Sequence, residues 1–329
     1  MVERAPTQVA VVILNWNGWR DTVECLDSLL ASTGVALRVI VCDNASRDES
    51  VPQLRAWADA RFGKAGWSEA GKPADGAAPR HVADSPFVLL HNGGNLGFAG
   101  GNNPGIAYAL NDPACAYIWL LNNDTTVEPD ALAQAIARME HDPRIGLCGS
   151  TLVYYHERDK VQAFGGASYT PAKGSSVHVG AFQPLAAIPA TAEAVEASLS
   201  YVIGAAMLAR RAFVEKVGLL TEDYFLYFEE IDWCTRGRAH FTLGYAPRSV
   251  VYHKEGASIG TSASGGSPLS VYYLFKNRLR FTARFHARHI PTVILFSLID
   301  VAKFVYRQRW PQAYAAVRGM LQFPRTQPK

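Results

Sequence analysis

The first part of the chain, as far as His141, alternates short branched-apolar runs with stretches of helical spacing. That rhythm confines it to an α/β fold on a doubly wound, mostly parallel sheet. Gln8–Asn15 (QVAVVILN) is continuously apolar rather than alternating, as expected of a strand covered on both faces. Leu37–Cys42, Phe87–His91 and Tyr117–Asn122 repeat the pattern. Between them, Asp21–Ala31 puts Val23, Leu26, Leu29 and Leu30 at helical spacing, and Ser50–Phe62 reads as a second helix. Ile106–Leu110 reads as a short helix and Pro129–His141 as one opened by proline in its first turn. Gly63–Pro86 reads as a surface insertion. In such sheets ligands gather at the carboxyl ends of the strands, which selects the loops beginning at Asn15, Asp43, His91 and Asn122.

The remainder is less regular. Gly149–Tyr155 and Val161–Val179 suggest short strands, Pro184–Ala197 a loop, and Ala212–Val217 a helix. HFTLGYAP and SVVYH look like two further strands, followed by a Gly/Ser-rich segment, Gly256–Ser267, expected to be mobile. Ser267–Pro268 is a cap-and-first-turn pair that opens a helical tail. The 329 residues fit one large α/β domain with an appendage, and 49% hydrophobic with 19% charged residues excludes wholesale disorder. Five cysteines without a CxxC pair argue against a zinc ribbon or a secreted disulfide framework, and for a reducing cytosol. The opening MVERAPTQ does not read as a signal peptide, and no uninterrupted apolar run approaches the ~20 residues of a membrane span.

Four features carry chemistry. The Gly-rich NGGNLGFAGGNNPG after the third strand matches neither the dinucleotide nor the Walker spacing, but lets backbone approach a ligand. Asn122-Asn123-Asp124 ends the fourth strand with a carboxylate suited to Mg²⁺ or Mn²⁺. Glu229, Glu230 and Asp232 sit among Tyr224, Phe225, Tyr227, Phe228 and Trp233, surroundings that raise a carboxylate pKa towards general-base range or stack sugar rings. The plainer alternative is acids complementing a helix dipole, with Asp232 pairing Arg236. His253 ends SVVYH and matters if it converges with Asp124 on one ion.

Together these segments resemble glycosyltransferase family 2, inverting enzymes of the GT-A fold, and within it the bacterial rhamnosyltransferase-like, cell-surface polysaccharide branch. The matching segments are VVILNWNG (11–18), VCDNAS (41–46), NLGFAGGNN (95–103), LLNNDT (120–125), GAAMLARR (204–211), FLYFEEIDWCTR (225–236) and VYHKEGAS (251–258). The resemblance implies a GT-A domain over residues 1–265, with a nucleotide-binding half (1–125) and an acceptor-side half (126–265), plus a basic helical C-terminal extension (266–329). It implies that Asn15, Asn17 and Asp43 hold base and ribose, and that Asn95, Gly97, Gly100, Asn102 and Asn123 lie by the donor. Asp124 and His253 would hold Mg²⁺ or Mn²⁺. Glu230 would be the base, Glu229 its substitute, and Asp232 would orient the acceptor. The implied reaction is single-displacement transfer from dTDP-L-rhamnose or a UDP-sugar to a glycan or lipid-linked acceptor.

From Leu269 onward there are eleven Lys/Arg and one acid, a net +10, against twenty-one bases and twenty-eight acids before it. Lys276, Arg280, Arg284 and Arg288 recur at i+4 as a basic row, and Lys276-Asn277 stands where the resembled branch often has an Arg-Asn pair, which implies that it faces the donor diphosphate. Pro291–Arg307 is apolar except at Ser297, Asp300, Lys303 and Arg307. The tail therefore reads either as contact with the inner face of the cytoplasmic membrane or as a dimer helix. Rival readings are a sugar-1-phosphate nucleotidylyltransferase, disfavoured by NWNGWRD after the first strand, and a non-catalytic binding protein. A nucleic-acid binder is disfavoured by the acidic first part and the lack of an RNP-like motif.

Overall fold

The structure, a computed structural model, describes residues 8–71, 85–189, 191–254 and 266–323. The chain begins β1 (Gln8–Asn15), α1 (Trp19–Leu30), β2 (Ala36–Asp43), α2 (Ser50–Phe62), β3 (Ser68–Gly71), β4 (Phe87–His91), α3 (Gly97–Leu110) and β5 (Cys115–Asn122). A short β6 (Thr125–Val127) leads to α4 (Ala131–His141), β7 (Ile145–Tyr154), β8 (Glu157–Phe164), β9 (Gly166–Thr170) and β10 (Ser175–His178). There follow α5 (Glu193–Ser198), β11 (Tyr201–Val202), β12 (Ala206–Arg210), α6 (Arg211–Val217), α7 (Glu229–Gly237) and β13 (Thr242–His253). Three helices end the described chain: α8 (Pro268–Phe285), α9 (Ile290–Tyr306) and α10 (Trp310–Gln322).

The main sheet runs β3-β4-β2-β1-β5-β12-β7-β13-β6, with β8 on β7, and β10-β9-β11 form a small second sheet. Strands β3, β4, β2, β1 and β5 are parallel, whereas β12 enters antiparallel between β5 and β7. Val9, Val11 and Ile13 pack with Leu26 and Leu29 on one face of the sheet, and Val12, Ile40 and Val88 with Ile106 and Tyr108 on the other. Both faces of β1 are thus covered, which is why its sequence does not alternate.

Several elements depart from the sequence reading. The glycine run is not a loop: α3 starts at Gly97, nine residues before the expected Ile106. A Cβ on Gly105 would lie 2.6 Å from Val12 Cγ1 and 2.7 Å from Cys42 Sγ, so small residues let this helix press onto the sheet. Pro129 precedes the α4 cap residue Asp130 rather than occupying its first turn. Inside the supposed loop Pro184–Ala197, α5 begins, anchored because Glu196 takes a bidentate pair from Arg138 and the Tyr245 N–H at 2.8 Å. HFTLGYAP and SVVYH form one strand, β13, whose register against β7 shifts between Ala246 and Val250, at Pro247. Most of the supposed mobile segment Gly256–Ser267 lies outside the described residues.

The basic row turns inward. Arg280 donates to the Asp223 carbonyl, and Arg284 pairs with Asp232 at 2.8 Å. Lys276 is buried with its ammonium 5.6 Å from the Tyr272 ring centroid; burial first, then Arg280, lowers its pKa. Arg288 leaves the row altogether, lying in a 3-10 turn, Ala287–His289. This face of α8 therefore grips the segment before α7 and offers no free basic stripe.

Candidate active site

Register brings the candidate loops together. Asn15 lies opposite Asp43, Asp43 opposite His91, and Leu14 opposite Asn122, so four strands end at one edge. There, side chains form a continuous polar chain. Asn123 Nδ2 donates to Thr22 Oγ1 (3.1 Å), Thr22 to Asn15 Oδ1 (2.8 Å), and Asn15 Nδ2 to Asp43 Oδ1 (2.9 Å). Ser46 closes the chain with its hydroxyl on Asp43 (2.6 Å), while accepting the Asn17 backbone N–H (2.9 Å). Asn17 adopts φ 52, in the left-handed region, and its side-chain oxygen receives the Arg47 N–H. Asp43 is held rigidly in this way at the end of β2. Ser46 and Thr22 were missed as individual residues; both stand within or beside quoted motifs, and only the fold shows that they link them.

The glycine-run residues divide. Asn95 accepts the Gly97 N–H (3.1 Å) and meets Asn44, which also donates to the Gly97 carbonyl. Gly97 has φ +71, and an added Cβ would fall 2.1 Å from the Phe225 carbonyl oxygen. This position is thus explained by the close approach of the Phe225 segment, whose carbonyl also accepts the Phe98 N–H (2.9 Å). A Cβ on Gly100 would lie 2.9 Å from Leu96 Cβ. Asn102 is buried and its amide donates to the Phe98 carbonyl one turn back.

Asp124 and His253 do converge: Oδ1 and Nε2 are 3.3 Å apart, and both residues are buried. Strand β6 pairs with β13 so that Thr125 faces His253, and the Lys254 N–H donates to the Asp124 carbonyl (2.9 Å). Burial pushes the Asp124 carboxyl up, but the hydrogen bond and charge of His253 outweigh it and hold the pKa below its ordinary value. His253 Nδ1 meets Gln162 Oε1 at 2.9 Å, which leaves Nε2 to face the carboxylate. Gln162 carries no sequence signal. Among the described residues no cluster of three or more His, Cys, Asp or Glu forms a metal cage. One carboxylate and one imidazole are a fitting donor set for an ion completed by substrate phosphates and water.

The three acids have three environments. Tyr227 and Phe228 adopt φ 67 and 76, left-handed values costly for bulky side chains, directly before Glu229. Asn277 of α8 donates to the carbonyls of Leu226 (2.7 Å) and Tyr227 (3.2 Å), pinning this turn. Glu229 is buried with Oε2 unpartnered, and burial followed by the charge of Glu230 pushes its pKa well up. Glu230 is half-buried, and desolvation also raises its pKa, partly opposed by the Gly204 N–H. It lines a cavity of ≈ 280 Å³ together with Tyr201, Tyr227, Phe228, Ser176 and Arg278. Asp232 is fully buried and saturated: Oδ1 takes Thr221 and Arg236 (both 2.7 Å), and Oδ2 takes Arg284 (2.8 Å) and Tyr224 (3.3 Å). Contrary to the expected contact with an acceptor, its geometry is that of a clamp between α7 and α8. Lys276 lies on the same row of α8 as Arg280 and Arg284, with its ammonium near the Tyr272 ring.

Comparison with known proteins identifies the fold and the family. The chain is 22% identical over 320 residues to the low-salt glycan biosynthesis hexosyltransferase Agl10 of Haloferax volcanii, covering 95% of this chain and 90% of that one. Among solved structures, the mannosyltransferase PcManGT of Pyrobaculum calidifontis, in complex with GDP-Man and Mn²⁺, superposes with a TM-score of 0.55 at 14% identity, over 98% of this chain and 88% of that one. GalNAc-T7 with UDP, GalNAc and Mn²⁺ gives 0.58 at 14% identity, over 85% of this chain and 48% of that one. These likenesses fix the fold as GT-A. The family model for Glycosyl transferase family 2 matches residues 10–218, well over half of the sequence, and the chain belongs to that family.

Proposed function

We propose that the protein is an inverting hexosyltransferase that moves a sugar from a nucleoside diphosphate to a hydroxyl of a cell-surface glycan or lipid-linked acceptor. The donor that best fits the resemblance is dTDP-L-rhamnose, with a UDP-sugar as the alternative. The single observation that carries this reading is the pairing of Asp124 with His253 at the strand edge, with Glu230 facing an aromatic-lined cavity. Asp43, fixed by Asn15 and Ser46, is the acceptor of hydrogen bonds from base or ribose. Asp124 and His253 would hold Mg²⁺ or Mn²⁺, an assignment supported by the Mn²⁺ in both structural relatives. Such an ion would supply charge neutralisation for the leaving diphosphate.

Glu230 is the base. Its raised pKa keeps the carboxylate basic enough to take the proton of an acceptor hydroxyl in the cavity, whose oxygen then bonds to the anomeric carbon as the bond to phosphate breaks. Tyr201, Tyr227 and Phe228 give the acceptor sugar apolar faces to rest on. Glu229 is more deeply buried, burial and the charge of Glu230 push its carboxyl pKa well up, and it shapes the turn. The enzyme would work in the cytoplasm, at the inner face of the membrane. Nucleotide release from dTDP-rhamnose and from UDP-sugars, with Mg²⁺ or Mn²⁺, tests the reading. Asp124→Ala and Glu230→Gln should each lower it on the order of 10²-fold or more, and wild-type rates in both would overturn the site assignment.

A further inference from the structure

Helix α9 is built inside out. Two of its polar side chains face the protein: Ser297 is fully buried, and Arg278 of α8 donates to Ser297 Oγ (3.3 Å) and Asp300 Oδ2 (3.0 Å). Its large apolar side chains face away, with Leu295, Leu298 and Ile299 56%, 51% and 42% exposed and Tyr306 89% exposed. Helix α10 adds Trp310, Tyr314, Val317 and Leu321 at spacings of four, three and four, with Leu321 75% exposed. Soluble proteins seldom leave so long an apolar stripe in water. The segment Ala287–Tyr306 is also long and apolar enough to cross a membrane by length and composition, with a mean hydropathy of 1.5, a property the uninterrupted-run criterion had overlooked. Its inner stripe is nevertheless committed to α8, and Gly319 brings α10 so close to α8 that a Cβ there would lie 2.4 Å from the Tyr272 carbonyl. Held by Arg278 of α8, which packs on the α/β domain, the helix is placed to lie along a bilayer with its apolar face down.

Charge decides between a bilayer and a second copy of the chain. The segment from Arg288 to Arg318 carries Arg288, Lys303, Arg307, Arg309 and Arg318 against Asp300 alone, and Asp300 already pairs with Arg278 and Lys303. Two such faces pressed together would set bases against bases with no acid to receive them. Anionic phospholipid headgroups supply the missing partner. We propose that the exposed stripes of α9 and α10, with this basic rim, are a docking surface for an anionic phospholipid bilayer. The surface lies beside the cavity of Glu230. Gly174 lines that cavity, and a Cβ on it would lie 2.9 Å from Val293 of α9, while Lys173 Nζ is 5.8 Å from the Phe296 ring centroid. Docking therefore sets the cavity about one helix diameter, ~10 Å, from the docked face of α9, on the side where a lipid-carried acceptor arrives. That last consequence rests on the glycosyl-transfer reading, whereas the docking surface does not.

Co-sedimentation of the full chain with phosphatidylcholine vesicles, with and without phosphatidylglycerol, tests the proposal. The expected result is binding to the phosphatidylglycerol vesicles that weakens as salt is raised, and at least a roughly tenfold loss in Leu295→Ser/Leu298→Ser and in Trp310→Ser/Leu321→Ser. All four positions are exposed, so unchanged thermal unfolding of the variants should accompany the loss. Wild type that stays in the supernatant, or variants that bind as wild type does, would overturn it. So would a wild-type dimer in sedimentation velocity that the same substitutions dissociate. Donor hydrolysis in the absence of vesicles keeps the two proposals separable, since the surface variants should release nucleotide at the wild-type rate.

Discussion

Asn277 should matter to catalysis although it touches neither donor nor base. Its single amide group donates to the carbonyls of Leu226 and Tyr227, and it is completely buried. The turn it holds contains two bulky residues in the left-handed region, each costing roughly 1–3 kcal/mol. Asn277→Ala removes two hydrogen bonds worth about 1 kcal/mol each and leaves buried carbonyls unpaired, for a total loss of ~2–4 kcal/mol in unfolding free energy. A relaxed turn swings Glu229 and Glu230 together, and a displacement of about 1 Å at the base costs on the order of 10²-fold in kcat. The donor site sits on β1, β2 and β13, so the donor KM should stay within about twofold. Asn277→Asp keeps the volume but loses the donor group, and should show the same split between kcat and KM. Denaturant unfolding with steady-state nucleotide release measures both quantities. If both variants keep kcat within about threefold while still unfolding cooperatively, the turn is held by something else and the reasoning fails.

Asp232→Asn leaves Arg236 and Arg284 without their buried carboxylate, and should lower unfolding free energy by about 2–4 kcal/mol in a denaturant titration. Raised carboxyl pKa values in the native state mean that the unfolded chain ionises first as pH rises. Stability is therefore full below the ordinary glutamate value and falls as pH climbs from there to the native value; Glu229→Gln should flatten that decline. The kcat profile should rise with pH through the carboxylate limb in wild type and Glu229→Gln. In Glu230→Gln the limb should vanish and kcat should fall on the order of 10²–10⁴-fold. His253→Ala should abolish the Mn²⁺-dependent rise in melting temperature that a nucleoside diphosphate gives to wild type.

How much of this was legible depends on the range of the interaction. The parallel strands and their ends could be read because β1, β2, β4 and β5 are each specified by their own apolar run, and Asn15, Asp43 and Asp124 follow directly. His253 could be flagged but not placed, because its approach to Asp124 depends on β13 pairing with β6. Gln162 carried no signal, and Asn277 was marked only as the neighbour of Lys276 in the resembled branch's pair, since their partners lie 91 and about 50 residues away. The glycine run misled because flexibility and close packing call for the same residue, and here Gly101 and Gly105 serve packing against Leu14, Val12 and Cys42.

Helical periodicity tells which residues share a face but not which way that face turns. The row at Lys276, Arg280 and Arg284 has the spacing of a solvated or lipid-seeking stripe, yet it turns inward because Asp232 and the Asp223 carbonyl lie beneath it. Helix α9 shows the converse: Ser297 and Asp300 look like a solvent face and instead pack on Arg278. Both reversals have one cause. Helix α8 carries cationic side chains on two sides, Arg284 engaging α7 and Arg278 engaging α9, while Leu274 and Arg278 line the cavity of Glu230. The boundary near residue 265 that composition suggests is therefore not a boundary of the site. The helices beyond it pin the turn before Glu229 and Glu230 on one side and, on the other, leave the apolar face of α9 exposed.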